Sequence, residues 1–283
     1  MKRSWHQPKS LFEALDIIAS QPSKIWPVAG GTDLWVAERS GRLPIGNLID
    51  ISQIRELALM KAESTYLQIG ACVPYSHLMR DHTVSKHFPN LAASSQATGA
   101  VAIQNRGTLG GNIMNASPAA DSVAALMCYH ADVHLQSAAS SRWIPLKDFY
   151  TGYRQTQATE KELLTAIRLP LPKSELKQHH RFLKVGTRQA QAITKVGLAA
   201  TWYFSDDSSI KDASLAFIAV APTTLAMPHI AEIINGHRPD SIPWTAIDKA
   251  LKTDIKPITD IRSTAEYRQQ IALNLLKETF TSV

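Results

Sequence analysis

The chain has 283 residues, 45% of them hydrophobic, and a formal net charge of +6, enough apolar material for a sizeable core and two or three domains. No apolar run approaches the ~20 residues that span a bilayer, and the first ten residues lack the apolar centre of an export signal, so a soluble, cytoplasmic protein with no membrane partner is expected. Lys and Arg are scattered, without interleaved aromatics, so nucleic acid is not expected as a partner either.

In chain order, Leu11, Ala14, Leu15, Ile18 and Ala19 recur at helical spacing and predict a helix from Ser10 that Gln21-Pro-Ser ends. A short apolar strand over 25–28 runs into Gly30-Gly31, after which Thr32 or Asp33 can cap a helix carrying Leu34, Val36 and Ala37. Residues 41–46 form a turn-rich break, 47–51 a strand and 54–57 a turn. Residues 66–70 alternate as a strand should, Val73-Pro74 starts a helix reaching Met79, and 88–91 lead into a small-residue helix over 92–98, with 99–107 as a connector. The stretch 108–121 is too rich in Gly, Asn and Ser for a helix or strand interior and reads as an exposed-backbone loop. It feeds a helix capped by Ser117, with Pro118 and Asp121 in the first turn and Val123, Ala124, Leu126 and Met127 behind them.

Residues 133–136, 142–145 and 165–169 read as strands of one sheet, and Pro170 with Pro172 marks a boundary. Beyond Lys173 come strands over 182–185, 195–204 and 215–220. Helices over 227–235, 243–253 and 263–279 follow, the last with Tyr267, Ile271, Leu275 and Leu276 on one side. Strands followed by helices predict an α+β layer rather than a parallel βαβ sheet.

Gly110 and Gly111 remove the Cβ atoms that keep a ligand off the backbone, while Thr108, Asn112 and Ser117 supply neutral hydrogen-bonding groups. A bare loop before a helix start suits a phosphate or an oxygen-rich ligand, and two such loops suit a ligand with two adjacent phosphates. Each loop alone reads equally as a Gly-rich turn between core elements. Asp121 is open to two readings, a carboxylate favoured by the helix dipole or a ligand contact. Trp26 and Trp35 are open between core and ligand lining. Neither loop fits GxGxxG or the P-loop pattern, and HExxH, CxxC and GxSxG are missing, so no metal site and no catalytic side chain is expected. Cys72 and Cys128 stand in apolar contexts and read as buried free thiols; two thiolates are too few for an iron–sulfur cluster.

Ala29-Gly-Gly-Thr-Asp33, Thr108-Leu-Gly-Gly-Asn-Ile113, Ala116-Ser-Pro-Ala-Ala-Asp121, Asp148-Phe-Tyr-Thr-Gly-Tyr-Arg154 and Asp260-Ile-Arg-Ser-Thr-Ala-Glu-Tyr-Arg268 together resemble the FAD-binding subunit of the xanthine dehydrogenase family. That family includes carbon monoxide dehydrogenase medium subunits and other molybdenum hydroxylases, and the resemblance runs through nearly the whole chain. It implies an α+β fold. A two-lobed FAD-binding domain (PCMH/vanillyl-alcohol-oxidase-like), with lobes at 1–55 and 56–172, precedes a C-terminal α+β domain at 173–283 with a small antiparallel sheet and helices. It implies FAD in this chain, with molybdopterin on a large partner subunit and [2Fe-2S] clusters on a small one. Electrons pass to NAD or another acceptor, in a xanthine dehydrogenase by preference. A carbon monoxide, aldehyde or N-heterocycle dehydrogenase is the alternative, as is a stand-alone FAD oxidoreductase. The implied FAD contacts are Pro27, Val28, Ala29, Gly30, Gly31, Thr32, Asp33 and Leu34 in the first loop and Thr108, Leu109, Gly110, Gly111 and Asn112 in the second, with Thr98, Asp121, Leu164 and Lys184 completing the pocket. The chain departs from the family's Gln-Ile-Arg-Asn at Ala102-Ile-Gln104-Asn105, which puts any charge-dependent contact there in doubt.

Overall fold

The computed structural model describes residues 3–43, 46–172 and 177–281; the expected boundary at Lys173 lies outside the described residues, and part of the 41–46 break does too. The chain opens with β1 (Trp5–His6), α1 (Leu11–Ser20), β2 (Ile25–Val28), α2 (Leu34–Arg39) and β3 (Asn47–Asp50). The three strands form a parallel sheet in the order β1-β3-β2. Pro27 has no N–H to give, and β2 tolerates it because it is an edge strand paired only with β3. α1 forms where its periodicity predicts. The Ser10 hydroxyl accepts the Glu13 N–H at 3.2 Å, and Ala14, Leu15 and Ile18 join Ile25, Ile49 and Ile54 in one apolar cluster that Cys72 and Leu163 complete from later in the chain. The far end of α1 is also closed from outside. The Lys161 ammonium donates to the carbonyls of Ile18, Ala19 and Gln21 at 3.1, 3.1 and 2.6 Å, placing a positive charge where the helix dipole is negative.

Next come β4 (Met60–Ala62), β5 (Tyr66–Gly70), α3 (Tyr75–Leu78), α4 (His82–His87), α5 (Pro89–Ala97), α6 (Val101–Gln104), α7 (Leu109–Asn115), α8 (Asp121–Cys128), β6 (Asp132–Gln136), β7 (Ser141–Pro145), α9 (Leu146–Phe149), β8 (Tyr150–Gly152), β9 (Gln155–Thr156) and β10 (Leu163–Pro170). The three strands expected to share a sheet do so, within an antiparallel order β4-β5-β10-β6-β7. Every residue of α8 is buried. The elements not foreseen (β1, β4, α4, α6, α9 and the β8–β9 hairpin) span two to six residues, too few for a period to show.

The last unit has β11 (His179–Val185), β12 (Val196–Phe204), β13 (Ile210–Ile218), β14 (Leu225–Ala226), α10 (Pro228–Ile234), α11 (Trp244–Asp254) and α12 (Ala265–Thr281). Its four strands form an antiparallel sheet in sequence order, giving the α+β layer expected. Alternate residues serve two cores. Ala199, Ala216 and Ile218 belong with α8 to the core of the preceding unit, whereas Val196, Leu198, Ala200 and Phe217 pack with α10, α11 and α12. Burial on both faces explains the unbroken apolar run of β12. One expectation for α12 fails. Tyr267 is 41% exposed while Arg268 is 3% exposed. The Arg268 guanidinium donates to the carbonyls of Lys195 and Ala219 at 2.6 and 3.1 Å and to the Asp260 carboxylate at 2.8 Å, so its charge is satisfied inside.

At the seam between the units, the Tyr129 hydroxyl accepts the Asn90 N–H at 3.0 Å and lies 3.0 Å from His180 Nδ1. With a neutral imidazole whose Nδ1 is unprotonated, the hydroxyl gives its own proton to Nδ1. Burial, then the neighbouring His179, lowers the His180 pKa from 6.5 to about 4. The unfolded chain thus binds the extra proton first, and this stabilising contribution, full above about pH 6.5, is lost as pH falls towards 4. His180→Gln is expected to flatten the fall in urea midpoint between pH 7 and pH 4.5, two buffers chosen to bracket roughly that window. Lys161→Met is expected to lower stability by about 1 kcal/mol in the same assay, by uncapping α1.

Candidate functional site

The first Gly loop is built by close backbone approach. Gly31 has φ +73°, and a Cβ on Gly30 would fall 1.7 Å from the Arg106 carbonyl oxygen. Only glycine lets this loop lie against the Arg106–Gly107 backbone. Neither Thr32 nor Asp33 caps α2. Asp33 itself has helical dihedrals and makes no side-chain cap bond, because the helical turn already begins at Gly31, whose carbonyl accepts the Trp35 N–H at 3.0 Å. Among the described residues no backbone acceptor pairs with the N–H groups of Gly31, Thr32, Asp33 or Leu34. Four such donors in succession are of the kind that can receive an anion. No residue of α2 is buried; Trp35 stacks on Trp5 at 6.2 Å, and Arg3 pairs with Glu38 across the same face.

The second stretch is not a loop. It is α7, with the Thr108 hydroxyl as N-cap accepting the Gly111 N–H at 3.1 Å. The Leu109 and Gly110 N–H groups donate to the Val73 and Ala71 carbonyls at 3.0 and 2.9 Å, and that of Asn112 to Thr108. Packing overrides glycine's poor helix propensity here, since a Cβ on Gly110 would stand 2.6 Å from that of Ala71. Outward, α7 presents the exposed Gly111 and the half-buried Asn112. Ser117 is not a helix cap either. It accepts the Ala119 and Ala120 N–H groups in a turn, and α8 begins at Asp121.

A buried polar cluster stands at the start of α8. Asp121, 7% exposed, accepts the Lys184 ammonium at 2.6 Å and the Thr194 hydroxyl at 2.5 Å. Burial raises its pKa above 3.8 against the pull of Lys184 and both hydrogen bonds. Lys184 also donates to the Ala97 carbonyl at 2.9 Å, beside Thr98, whose hydroxyl donates to Ser94. Gln104 is buried and donates to the Gln96 carbonyl at 2.9 Å, so the position that departs from the family pattern holds the end of α5. At the second residue of α8, the Ser122 hydroxyl donates to Asn112 Oδ1 at 2.8 Å.

Structure thus brings the Gly30 loop onto the backbone just before α7, and joins Asp121, Lys184 and the Thr98 turn. Leu164 stands apart from these contacts, 2% exposed in the β10 core with Leu135 and Leu109. Val28 is buried, Pro27 is exposed on the edge strand and Ala29 is half-buried. Sequence reasoning missed Arg154 as a member of the site. It has left-handed φ of 54°, donates to Asn115 Oδ1 at 2.9 Å, and its charge opposes the rise that burial gives Asp33. Its signal was the Gly-Tyr-Arg turn already quoted, without a role. A hollow of about 160 Å³ lined by Phe88, Tyr129, His130 and Tyr203 contains none of these residues.

Bare donors, nearby cationic charge and glycine-thin loops fit a diphosphate such as that of FAD. Gly30→Ala must separate the loop from Arg106. A stability loss of about 1–3 kcal/mol is expected in thermal denaturation, with FAD titration weakened at least roughly tenfold; unchanged values in both would show that the approach is not formed.

Residues 1–172 match the family described as FAD binding domain in molybdopterin dehydrogenase, and residues 181–283 match the CO dehydrogenase flavoprotein C-terminal domain. The chain is 27% identical over 278 residues to the xanthine dehydrogenase FAD-binding subunit of Escherichia coli O157:H7, covering 97% of this chain and 94% of that one. It is 27% identical over 276 residues to the carbon monoxide dehydrogenase medium chain of Afipia carboxidovorans, covering 96% and 93%. Among solved structures, a chain of the cyanide-inactivated Cu,Mo-CO dehydrogenase superposes with a TM-score of 0.92 at 25% identity, covering 99% of this chain and 98% of that one. With its bare-donor loop, its buried polar cluster at the start of α8 and these matches through both parts of its length, the chain belongs to the family of FAD-binding flavoprotein subunits of molybdopterin dehydrogenases, a family of oxidoreductases.

Proposed function

We propose that the chain is the FAD-binding electron-transfer subunit of a cytoplasmic, heteromeric molybdenum hydroxylase, by preference a xanthine dehydrogenase. A molybdopterin subunit oxidises the substrate, a [2Fe-2S] subunit relays the electrons, and NAD or another acceptor takes them from this chain. The observation that carries the reading is the run of N–H groups from Gly31 to Leu34 that have no backbone acceptor among the described residues, in a loop held against the backbone that leads into α7. The purine preference is supported by the relative named for xanthine dehydrogenase, which matches nearly end to end. The assignment of iron to a partner is supported by the presence of only two cysteines here, where a cluster takes four thiolates. Among the described residues no helix is long and apolar enough to cross a membrane.

Bound FAD supplies the redox chemistry, accepting electrons and passing them on. The chain supplies binding and position. The N–H groups of Gly31, Thr32, Asp33 and Leu34 would hold the diphosphate, and Arg154 would offset part of its negative charge. Thr98, Gly111 and Asn112 would face the ribityl chain. The Asp121–Lys184 pair would hold the end of α5 and the turn carrying Thr98 in place beside the cofactor. No side chain of this subunit need act as a general base.

The test is spectroscopic. The purified chain should carry an oxidised flavin spectrum with bands near about 370 and about 450 nm, and co-purify with partners containing molybdenum and iron. In that complex, xanthine without oxygen should bleach the flavin and NAD⁺ should restore it. Bleaching by carbon monoxide or an aldehyde but not by xanthine would overturn the purine assignment alone. A chain that binds no FAD would overturn the whole reading.

A further inference from the structure

The first two residues of α8 are both polar and both buried, and they serve different neighbours. Asp121 is bonded to Lys184 and Thr194 of the C-terminal unit. Ser122, with 0% exposure, is bonded to Asn112 on α7 and Tyr75 on α3. Its hydroxyl donates to Asn112 Oδ1 at 2.8 Å. A hydroxyl has one proton, so towards Tyr75, whose oxygen stands 3.4 Å away, Ser122 acts as acceptor. The polarity therefore runs one way, from Tyr75 through Ser122 to Asn112. Tyr75 is itself 2% exposed, and its N–H donates to the Gly107 carbonyl at 3.1 Å, so the start of this relay is anchored under the same backbone that meets Gly30.

A carboxamide presents a donor at one end and an acceptor at the other. With Oδ1 occupied by Ser122, the end of Asn112 left over is Nδ2, for which the described residues provide no acceptor. We infer that Ser122, backed by Tyr75, is a positioning residue that fixes the Asn112 carboxamide so that Nδ2 donates to an acceptor oxygen of the ribityl-diphosphate part of FAD; this rests on the FAD reading above. Without the Ser122 hydroxyl the carboxamide is free to turn over and set Oδ1 against an electron-rich ligand. Nothing in Ser122 touches the cofactor; its whole effect passes through Asn112.

The experiment is FAD titration of the full chain after removal of its flavin, read by flavin fluorescence, with thermal midpoints measured alongside. Ser122→Ala and Asn112→Ala should each weaken binding roughly tenfold, the effect of one buried hydrogen bond to a ligand. Tyr75→Phe should weaken it less. The deciding variant is the double one. If Ser122 works through Asn112, adding Ser122→Ala to Asn112→Ala costs nothing further. A further loss equal to that of the single variant overturns the inference, as does a Ser122→Ala protein that binds FAD like the wild type. Should Ser122→Ala fail to fold, Asn112→Asp decides. It keeps an acceptor for Ser122 but replaces the donor by a negative charge, so it should bind FAD more weakly than Asn112→Ala; binding as tight as wild type overturns the inference. Failure of the wild-type chain to bind FAD would instead remove the FAD reading beneath it.

Discussion

The burial of α8 is the constraint from which the rest of the architecture follows. All eight of its residues are buried, because it is packed between the preceding unit and the C-terminal sheet. A helix start in that position brings a carboxylate out of water, which is tolerable only with partners. Asp121 finds them in Lys184 and Thr194, both from the unit that follows. A buried pair of this kind adds little net stability over an apolar substitute, but leaving either member alone is costly. It therefore ties the start of α8 to the C-terminal sheet at this point. Because Lys184 also holds the Ala97 carbonyl, the same pair fixes the end of α5 and hence the turn carrying Thr98.

The other side of the proposed cradle is built on the opposite principle. Around Asp121 position is secured by charge and burial; around Gly30 it is secured by the lack of side chains. Two backbones meet at a separation that any Cβ would block, so the loop cannot be reshaped by side-chain substitution without being moved. Beyond it α2 contributes no buried residue and is held by the Trp5–Trp35 stack and the Arg3–Glu38 pair. An element with so little burial sits at the low-stability end of a fold. A buried polar cluster together with a lightly held rim suits a cofactor site that must admit a large ligand and then grip its phosphates.

Charge is distributed sparingly in this site. Arg154 is brought to Asn115 and within reach of Asp33 by a left-handed turn, while the position where the family pattern has arginine carries Gln104, turned inward to the Gln96 carbonyl. The far hairpin thus brings one cation, Arg154, to the Asp33 side of the proposed cradle. That sparing use of charge accords with a flavoprotein whose protein part places a cofactor and leaves the electron chemistry to it.

The sequence alone determined the elements whose signal is periodic or punctuated. α1 with its Ser10 cap, the strand into Gly30-Gly31, the three strands of the larger sheet, and the antiparallel sheet followed by helices are all legible, because period and turn residues are local properties. The family was legible too, since its loop motifs are contiguous. Only the tertiary structure decided that Leu109–Asn115 is a helix, because Gly110 fits against Ala71, a residue nearly forty positions away. It also decided that Arg268 rather than Tyr267 turns inward, since the carbonyls of Lys195 and Ala219 that receive it come from elsewhere in the chain. The partners of Asp121, Ser122 and Asn112 were likewise invisible beforehand. Hydrogen bonds between distant residues leave no spacing rule in the chain, and a buried polar side chain is explained only by what surrounds it.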